Sequence, residues 1–249
     1  LRGNDIADLP GWLYNVPRQL AQVINLRHNP LDLRSRRLLR NYRNSTGVGM
    51  GFLEDDLGRL SEQSARELWL ADGRESYYSQ RTETWSMLRD EPGADGLFKL
   101  LSELGGTADT TYIREDMNRR VWRVLEAASG DAGLREEIFA RAATPINCDD
   151  AAAVSFSNLE VLVEIHEASK AVEGGQVTAG TLLKLARGLF RLDQLERLAR
   201  RHSDEHPMVD PLEVSLAYRT GLVDSFHLPG QPRHMRFSRL AGVTQQALS

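Results

Sequence analysis

Cysteine occurs only once among the 249 residues of this sequence, at position 148. A lone thiol is either a small buried hydrophobe or a nucleophile with a base beside it. Asp149 and Asp150 follow Cys148 at the predicted entrance of a helix, and this polar start indicates a thiol near the surface. An aspartate here could accept a proton from an incoming amine or steer that amine, whereas its alternative role is to cap the helix.

A cysteine hydrolase would need a histidine partner for the thiol. No histidine of the chain has a diagnostic local signature. His166 falls on the apolar stripe of the helix that follows Cys148, where a core histidine with satisfied hydrogen bonds is the simpler interpretation. The six histidines are His28, His166, His202, His206, His227 and His234.

The segment from His202 to His206 matches the His-x-x-Glu-His pattern of one class of zinc protease. The pattern has two free positions, and Pro207 ends the predicted helix immediately afterwards. We therefore interpret the segment as a solvated helix terminus, and we predict no metal there.

Composition and charge argue against several classes of protein. Hydrophobic residues make up 41% of the chain, which is enough for a core and disfavours disorder. The net charge of −4, with both signs mixed along the chain, predicts neither a nucleic-acid partner nor a membrane partner. No run of about 18 apolar residues could span a bilayer. A single cysteine suits a reducing compartment.

The first fifty residues carry a repeated pattern, Leu-x-x-Asn-x-aliphatic, which starts at Leu1 and again at Leu26. This period lies in the range of leucine-rich repeats, where the asparagine hydrogen-bonds backbone groups that a tight turn leaves unpaired. Two repeats are fewer than the roughly three that a stable core needs. We therefore predict that residues 1–43 are the C-terminal end of a leucine-rich repeat domain. The glycine-rich stretch 44–59 is predicted to be a linker.

Residues 60–249 are predicted to form an all-helical domain, so the fold class is mainly α. Apolar stripes run from Ile113 to Ala128 and from Leu159 to His166, and a long third segment with regularly spaced leucines starts near Thr178. A further helix starts at Asp210-Pro211-Leu212-Glu213, with an N-cap acid, a proline at the first helical position and a glutamate at the third.

Several blocks between about Leu60 and Thr244 together resemble the NEL domain. NEL stands for novel E3 ubiquitin ligase, and these domains occur in IpaH- and SspH-type effectors that bacteria inject into host cells by type III secretion. Such effectors place leucine-rich repeats before an all-helical ligase domain, which is the order predicted here. The blocks are Asn147-Cys148-Asp149-Asp150, Ser157-Asn158-Leu159, Ile165-His166-Glu167-Ala168-Ser169, Phe190-Arg191-Leu192-Asp193-Gln194-Leu195-Glu196, Val209-Asp210-Pro211-Leu212-Glu213-Val214 and Met235-Arg236-Phe237.

The resemblance implies a two-step transfer of ubiquitin that needs neither a metal nor an organic cofactor. A ubiquitin-conjugating enzyme would pass ubiquitin to Cys148 as a thioester, and a substrate lysine would then attack that thioester. The family's Cys-x-Asp acid corresponds to Asp150, which would accept the proton of the attacking amine. A further acid of the family's site corresponds to Asp210, a residue that the local pattern also predicts to be an N-cap.

Partners and location also follow from the resemblance. The expected partners are a conjugating enzyme charged with ubiquitin, ubiquitin itself, and a host protein bound through leucine-rich repeats. The expected location is the host cell cytoplasm, after type III secretion.

The sequence departs from the family in two places. It has Phe156-Ser157-Asn158 where members often have an aromatic-Asn-Asn step, and members continue past the region matching Gly242-Val243-Thr244. A C-terminal truncation is therefore expected.

Two alternatives to a ligase remain open at this point. A cysteine hydrolase of ubiquitin or peptides requires a histidine close to Cys148 in space. A non-catalytic helical interaction module requires a buried, unreactive Cys148.

Overall fold

The computed structural model describes residues 1, 4, 6–26, 29, 31–50, 60, 62–71, 75–144, 149–206, 209–235 and 241–248. Within these residues the chain is helical and contains no β-strand, which confirms the predicted mainly α, all-helical fold class. None of the described helices is both long and apolar enough to cross a bilayer. The helices are α1 (Arg18–Ala21), α2 (Leu33–Thr46), α3 (Glu62–Leu70), α4 (Glu75–Arg89), α5 (Asp95–Leu104), α6 (Ala108–Tyr112), α7 (Arg114–Gly130), α8 (Ala132–Ala142), α9 (Asp149–Glu173), α10 (Ala179–Glu205) and α11 (Pro211–Phe226), with 3₁₀ turns at Gly11–Asn15 and Gln245–Leu248.

The N-terminal part of the chain has a small hydrophobic core of its own. Leucines from the first turns and from α2, together with Met50, are buried in it. Asn29 is only 3% exposed, and its Oδ1 accepts from the backbone N–H groups of Asn4 (3.1 Å) and Ile6 (3.4 Å). Its Nδ2 donates to the carbonyl of Leu26 at 2.9 Å. These hydrogen bonds are those expected of a repeat asparagine, although the assignment of residues 1–43 to a repeat domain stays a prediction.

The start of the predicted linker is helical. Asp32 caps α2 by accepting from the Ser35 N–H, and the helix continues through Thr46 to Gly47, whose φ of 73° ends it in the left-handed region. The chain then folds back, and the Leu26 N–H donates to the Met50 carbonyl at 2.9 Å. Residues 44–50 therefore belong with the N-terminal core, and 51–59 lie outside the described residues.

Replacement of Asn29 with alanine is expected to destabilise this N-terminal unit by about 1–3 kcal/mol. The substitution leaves buried backbone donors and acceptors without partners, which costs the desolvation of each group. Hydrogen exchange measured by mass spectrometry should show lost protection at the amides of Asn4 and Ile6. Gln19→Ala, at an exposed position of α1, is the control and should leave that protection unchanged. Equal protection in Asn29→Ala would contradict the role of this side chain.

Helices α3–α9 form a bundle around the main hydrophobic core, and we call this unit the bundle. Trp69 and Trp122 lie at its centre, at 0% and 1% exposure. The Trp122 indole donates to the Trp69 carbonyl at 2.7 Å, and the Trp69 indole donates to the Leu101 carbonyl at 3.0 Å, so neither buried N–H is left unpaired. The stripe predicted between Ile113 and Ala128 faces this core from α7.

A buried ionic network ties α6, α7 and α9 together. The Arg120 guanidinium donates to both carboxylate oxygens of Glu160, at 2.7 and 2.5 Å, and lies 3.3 Å from Asp109 Oδ2. Asp109 also accepts from the backbone N–H groups of Arg233 and His234, at 2.9 and 2.7 Å. Burial raises the pKa of Glu160, and the Arg120 guanidinium opposes that rise. The network fixes the middle of α9 and the segment after α11 against the bundle.

Helices α10 and α11 pack on each other as an antiparallel pair with a third, small hydrophobic cluster, and we call this unit the arm. Thr178 caps α10, which spans 27 residues and confirms the long predicted segment. Its leucines are less buried than their regular spacing suggests. Leu195 is 7% exposed, but Leu198 is 43% exposed, because α10 packs mainly on α11. An open cleft of about 1000 Å³ separates part of the arm from the last turns of α9.

The arm meets the bundle along one side of α9. The Arg219 guanidinium of α11 donates to Ser157 Oγ at 3.3 Å and to Glu196 Oε1 of α10 at 2.7 Å. The turn after α11 reaches α9 at Gly230, whose φ is 56°; a Cβ added there would lie 2.9 Å from the Cβ of Glu160. A glycine is thus needed on both backbone and steric grounds.

Candidate active site

The described part of the candidate site begins at Asp149, the first residue of α9. Cys148, the predicted nucleophile, lies outside the described residues, as does the side chain of Asp149. Helix α9 itself packs against the bundle core. Ala152 and Phe156 of its first turns are buried in the bundle core, at 0% and 1% exposure. The first turns of α9 are therefore anchored in the bundle core.

Asp150, the predicted proton acceptor, lies in the first turn of α9 and is 0% exposed. Such complete burial is rare for an aspartate and requires partners that compensate for lost water. The burial of Asp150 also restricts proton transfer, because an incoming amine can reach this carboxylate only after the side chains that cover it have moved.

The start of α11 brings two further acids to the same place. Asp210 is the N-cap of α11, as its sequence pattern predicts, and its Oδ1 accepts from the N–H groups of Leu212 (2.9 Å) and Glu213 (3.4 Å). The Asp210 side chain remains exposed to solvent, whereas Glu213 is only 3% exposed. The catalytic role of Asp210 stays a prediction, since helix capping by itself accounts for the contacts of Asp210.

Glu213 forms a side-chain hydrogen bond with Asp150, and the two carboxyl groups belong to different helices. Burial, the negative charge of Asp150, the hydrogen bond to Asp150 and the charge of Asp210 together raise the pKa of Glu213 to about 8. Glu213 Oε2 is buried and has no hydrogen-bond partner among the described residues. We refer to Asp150, Asp210 and Glu213 as the acidic cluster.

The described histidines lie in other environments. Residue 166 is 17 positions after Asp149 on the same helix, which at 1.5 Å per residue places it about 25 Å from the start of α9. His166 is half-buried near Asp131, with its Nε2 3.6 Å from Asp131 Oδ2. The predicted core histidine is thus at the edge of the core. His166 therefore lies far from the start of α9.

The two histidines of the His-x-x-Glu-His segment lie at the end of α10. His202 and His206 stack with ring centroids 4.6 Å apart. His202 Nδ1 is 3.2 Å from the Tyr218 hydroxyl, and His206 Nδ1 is 2.9 Å from the His202 carbonyl. Both rings therefore take part in local contacts of the arm, as the interpretation of a helix terminus suggests. His234 lies against Asp109 at 2.8 Å, and His28 is outside the described residues.

Sequence reasoning predicted Asp150 and Asp210 as site residues, which stays a prediction, and it did not predict the contact of Glu213 with Asp150. The position of Glu213, third in α11 after an N-cap acid, is that of a capping-box glutamate, which normally bonds back to the N-cap backbone. Because this local role explains the glutamate, the pattern gives no reason to expect its contact with Asp150, 63 positions away in the sequence. A glutamate so early in an amphipathic helix, with apolar neighbours Leu212 and Val214, was the available signal of burial.

The chain is similar to known proteins over most of its length. The family model described as "C-terminal novel E3 ligase, LRR-interacting" (NEL) matches residues 69–249. The chain is 29% identical over 257 residues to the E3 ubiquitin-protein ligase ipaH9.8 of Shigella dysenteriae serotype 1, covering 98% of the chain and 45% of that protein. It is 30% identical over 250 residues to the E3 ubiquitin-protein ligase ipaH7.8 of Shigella flexneri, covering 94% of the chain and 42% of that protein.

The chain thus spans less than half the length of these curated relatives. The family match nevertheless extends over most of the chain, from the end of α3 through the acidic cluster to the last residue. This chain therefore belongs to the NEL family.

Proposed function

We propose that this chain is a ubiquitin ligase that carries ubiquitin as a thioester on Cys148 before passing it to a lysine. The observation that carries the proposal is the acidic cluster at the start of α9, directly after Cys148, in a chain of the NEL family. A ligase of this kind needs a nucleophile for the acyl group and a carboxylate near it for the amine proton.

In the first step, the Cys148 sulfur attacks the thioester carbonyl of ubiquitin bound to a conjugating enzyme. A new C–S bond forms to Cys148, the bond to the conjugating enzyme's cysteine breaks, and that cysteine leaves as a thiolate and takes up the proton lost by Cys148. The exchange is between two thioesters and requires neither oxidant nor metal.

In the second step, a substrate lysine attacks the Cys148 thioester. The amide C–N bond forms, Cys148 leaves as a thiolate, and the proton lost by the amine passes to Asp150. Asp210, exposed at the start of α11, contributes negative charge that favours approach of a cationic lysine, which releases one proton to water to become the attacking neutral amine. No group in this sequence of steps requires a cofactor.

The wider biology is proposed on the same basis. The proposed domain organisation is a repeat end at 1–43, a linker whose first residues are helical, and a ligase domain at 60–249. The proposed partners are a charged conjugating enzyme, ubiquitin and a host protein recognised through leucine-rich repeats. The proposed location is the cytoplasm of a host cell, reached by type III secretion as an effector.

The experiment mixes the chain with ubiquitin-activating enzyme, a conjugating enzyme, ATP and ubiquitin, and follows adducts on non-reducing gels. The wild-type chain should form an adduct that thiol reagents remove, and Cys148→Ala should form none. Cys148→Ser should form an adduct that resists thiols and is removed by alkali, because an oxyester replaces the thioester. A wild-type chain that forms no adduct with any of several conjugating enzymes, or that only cleaves ubiquitin conjugates, would overturn the proposal.

A further inference from the structure

We propose that Glu213 is a positioning residue of this site: from α11 it forms a hydrogen bond with the buried Asp150 side chain of α9 and holds that acid in one orientation. The inference rests on the proposed function, and it assigns a task to a residue whose sequence position indicates only helix capping. Glu213 reaches Asp150 across the joint between the arm and the bundle, from α11 to α9.

The first argument is the contact of two buried carboxyl groups. Asp150 is 0% exposed and Glu213 is 3% exposed, and a side-chain hydrogen bond joins them. Two carboxylates cannot hydrogen-bond to each other, because neither has a proton to donate, and their charges repel strongly away from water. One proton must therefore lie between them.

The second argument identifies the residue that holds the proton. The charged groups that bear on Glu213 are Asp150 from α9 and Asp210 from the residue before α11, and both are acids. With its pKa raised to about 8, Glu213 is protonated at neutral pH. Its unpartnered Oε2 agrees with this state, since a neutral carbonyl oxygen is less costly to bury without a partner than a carboxylate oxygen.

The third argument is what this arrangement does for lysine transfer. Asp150 remains an acceptor whose rotation is restricted by the bond from Glu213, so it is held ready for the amine proton. When that proton arrives, both carboxyl groups are neutral, and no isolated charge is left buried. Asp150 then loses the proton to water, which restores the starting pair. If Glu213 were ionised instead, repulsion between the two carboxylates would displace the Asp150 side chain from this orientation.

The test compares Glu213→Gln with Glu213→Leu in single-turnover discharge of preformed Cys148–ubiquitin thioester to free lysine. Glutamine keeps a neutral donor of the same shape, so its rate should stay within about threefold of wild type near pH 7. Leucine removes the donor and should lower the rate about 10- to 100-fold, while thioester loading changes by less than about threefold. Glu164→Gln is the matched control, since Glu164 also has a pKa raised by burial but lies on α9 outside the acidic cluster.

The pH profile separates positioning from a purely structural role. Above pH about 8 the wild-type discharge rate should fall relative to that of Glu213→Gln, because Glu213 ionises and glutamine cannot. Glu164→Gln should follow the wild-type profile. Discharge by Glu213→Leu at the wild-type rate, or identical pH profiles for wild type and Glu213→Gln, would overturn the inference.

Stability measurements test the location of the proton without any ligase assay. Because the pKa of Glu213 rises from 4.5 to about 8 on folding, the stabilisation from its proton is complete below pH about 4.5 and is lost as the pH rises through about 8. The free energy of unfolding should therefore fall more steeply over this range in wild type than in Glu213→Gln. Equal slopes would overturn the inference even if ubiquitin loads normally, whereas a wild-type chain that never loads ubiquitin overturns the proposed function.

Discussion

Replacement of Asp150 with asparagine is expected to leave ubiquitin loading on Cys148 nearly intact and to lower transfer to lysine by about 10²- to 10⁴-fold. Asparagine has almost the shape of aspartate and can still bond to Glu213, so the start of α9 should keep its structure. It cannot accept the amine proton, however, and the attacking lysine then has no base at the site. Loading is a thioester exchange in which Asp150 has no assigned part.

The measurement is two separate single-turnover rates, one for appearance of the thioester and one for its discharge to lysine. Asp131→Asn serves as the control, because Asp131 caps α8 through the Leu134 N–H and lies outside the acidic cluster. Both of its rates should match wild type. Loss of loading in a folded Asp150→Asn chain would contradict the assignment and would place Asp150 in the first step.

Replacement of Arg120 with methionine is expected to lower the free energy of unfolding by about 3–5 kcal/mol. Methionine keeps much of the side-chain volume but leaves Glu160 buried, at 5% side-chain exposure, without its cation. Asp109 loses its contact with Arg120 but keeps the bonds from the Arg233 and His234 N–H groups. The penalty therefore comes mainly from the unpaired Glu160 charge rather than from any attraction lost. Urea denaturation at constant pH measures the effect.

Arg123→Met provides a control on the same helix. Arg123 also pairs with a glutamate of α9, Glu167, but the two side chains are 44% and 46% exposed. Water compensates for such a pair, so its loss should cost about 0–1 kcal/mol. An equal loss of unfolding free energy in the two variants would contradict the view that the Arg120 network stabilises the fold because it is buried.

Much of the fold could be predicted from the sequence because the patterns that indicate a helix involve residues only a few positions apart. Periodic apolar residues between Ile113 and Ala128, and the cap at Asp210, depend on neighbours within a few positions, and the structure has both. The third segment was predicted as a helix correctly, but spacing alone did not show how little of it is buried. The burial of Leu198 depends on which helix lies opposite, and no local pattern carries that information.

The site could be predicted only in part for the same reason. Asp150 and Asp210 were selected by resemblance to a family, which fixes positions along the chain but not which side chains meet. The contact between Asp150 and Glu213 depends on the angle between α9 and α11, and that angle depends on distant interactions such as Arg219 with Ser157. The position of Cys148 relative to these acids stays a prediction.

The contact surface between the arm and the bundle affects how a lysine could reach the buried Asp150. Hydrogen bonds form an important part of it, at Asp150, at Ser157 and around Arg219. Water can replace such bonds at a net cost of about 1 kcal/mol each, whereas exposing an apolar core costs about 25 cal/mol for every Å². The bonds from the Arg233 and His234 N–H groups to Asp109 also hold the segment after α11 against the bundle, so separation of the two units would have to break them as well. Under the proposed mechanism, opening of this joint would admit a lysine to Asp150, and closing it would exclude water before the proton is transferred.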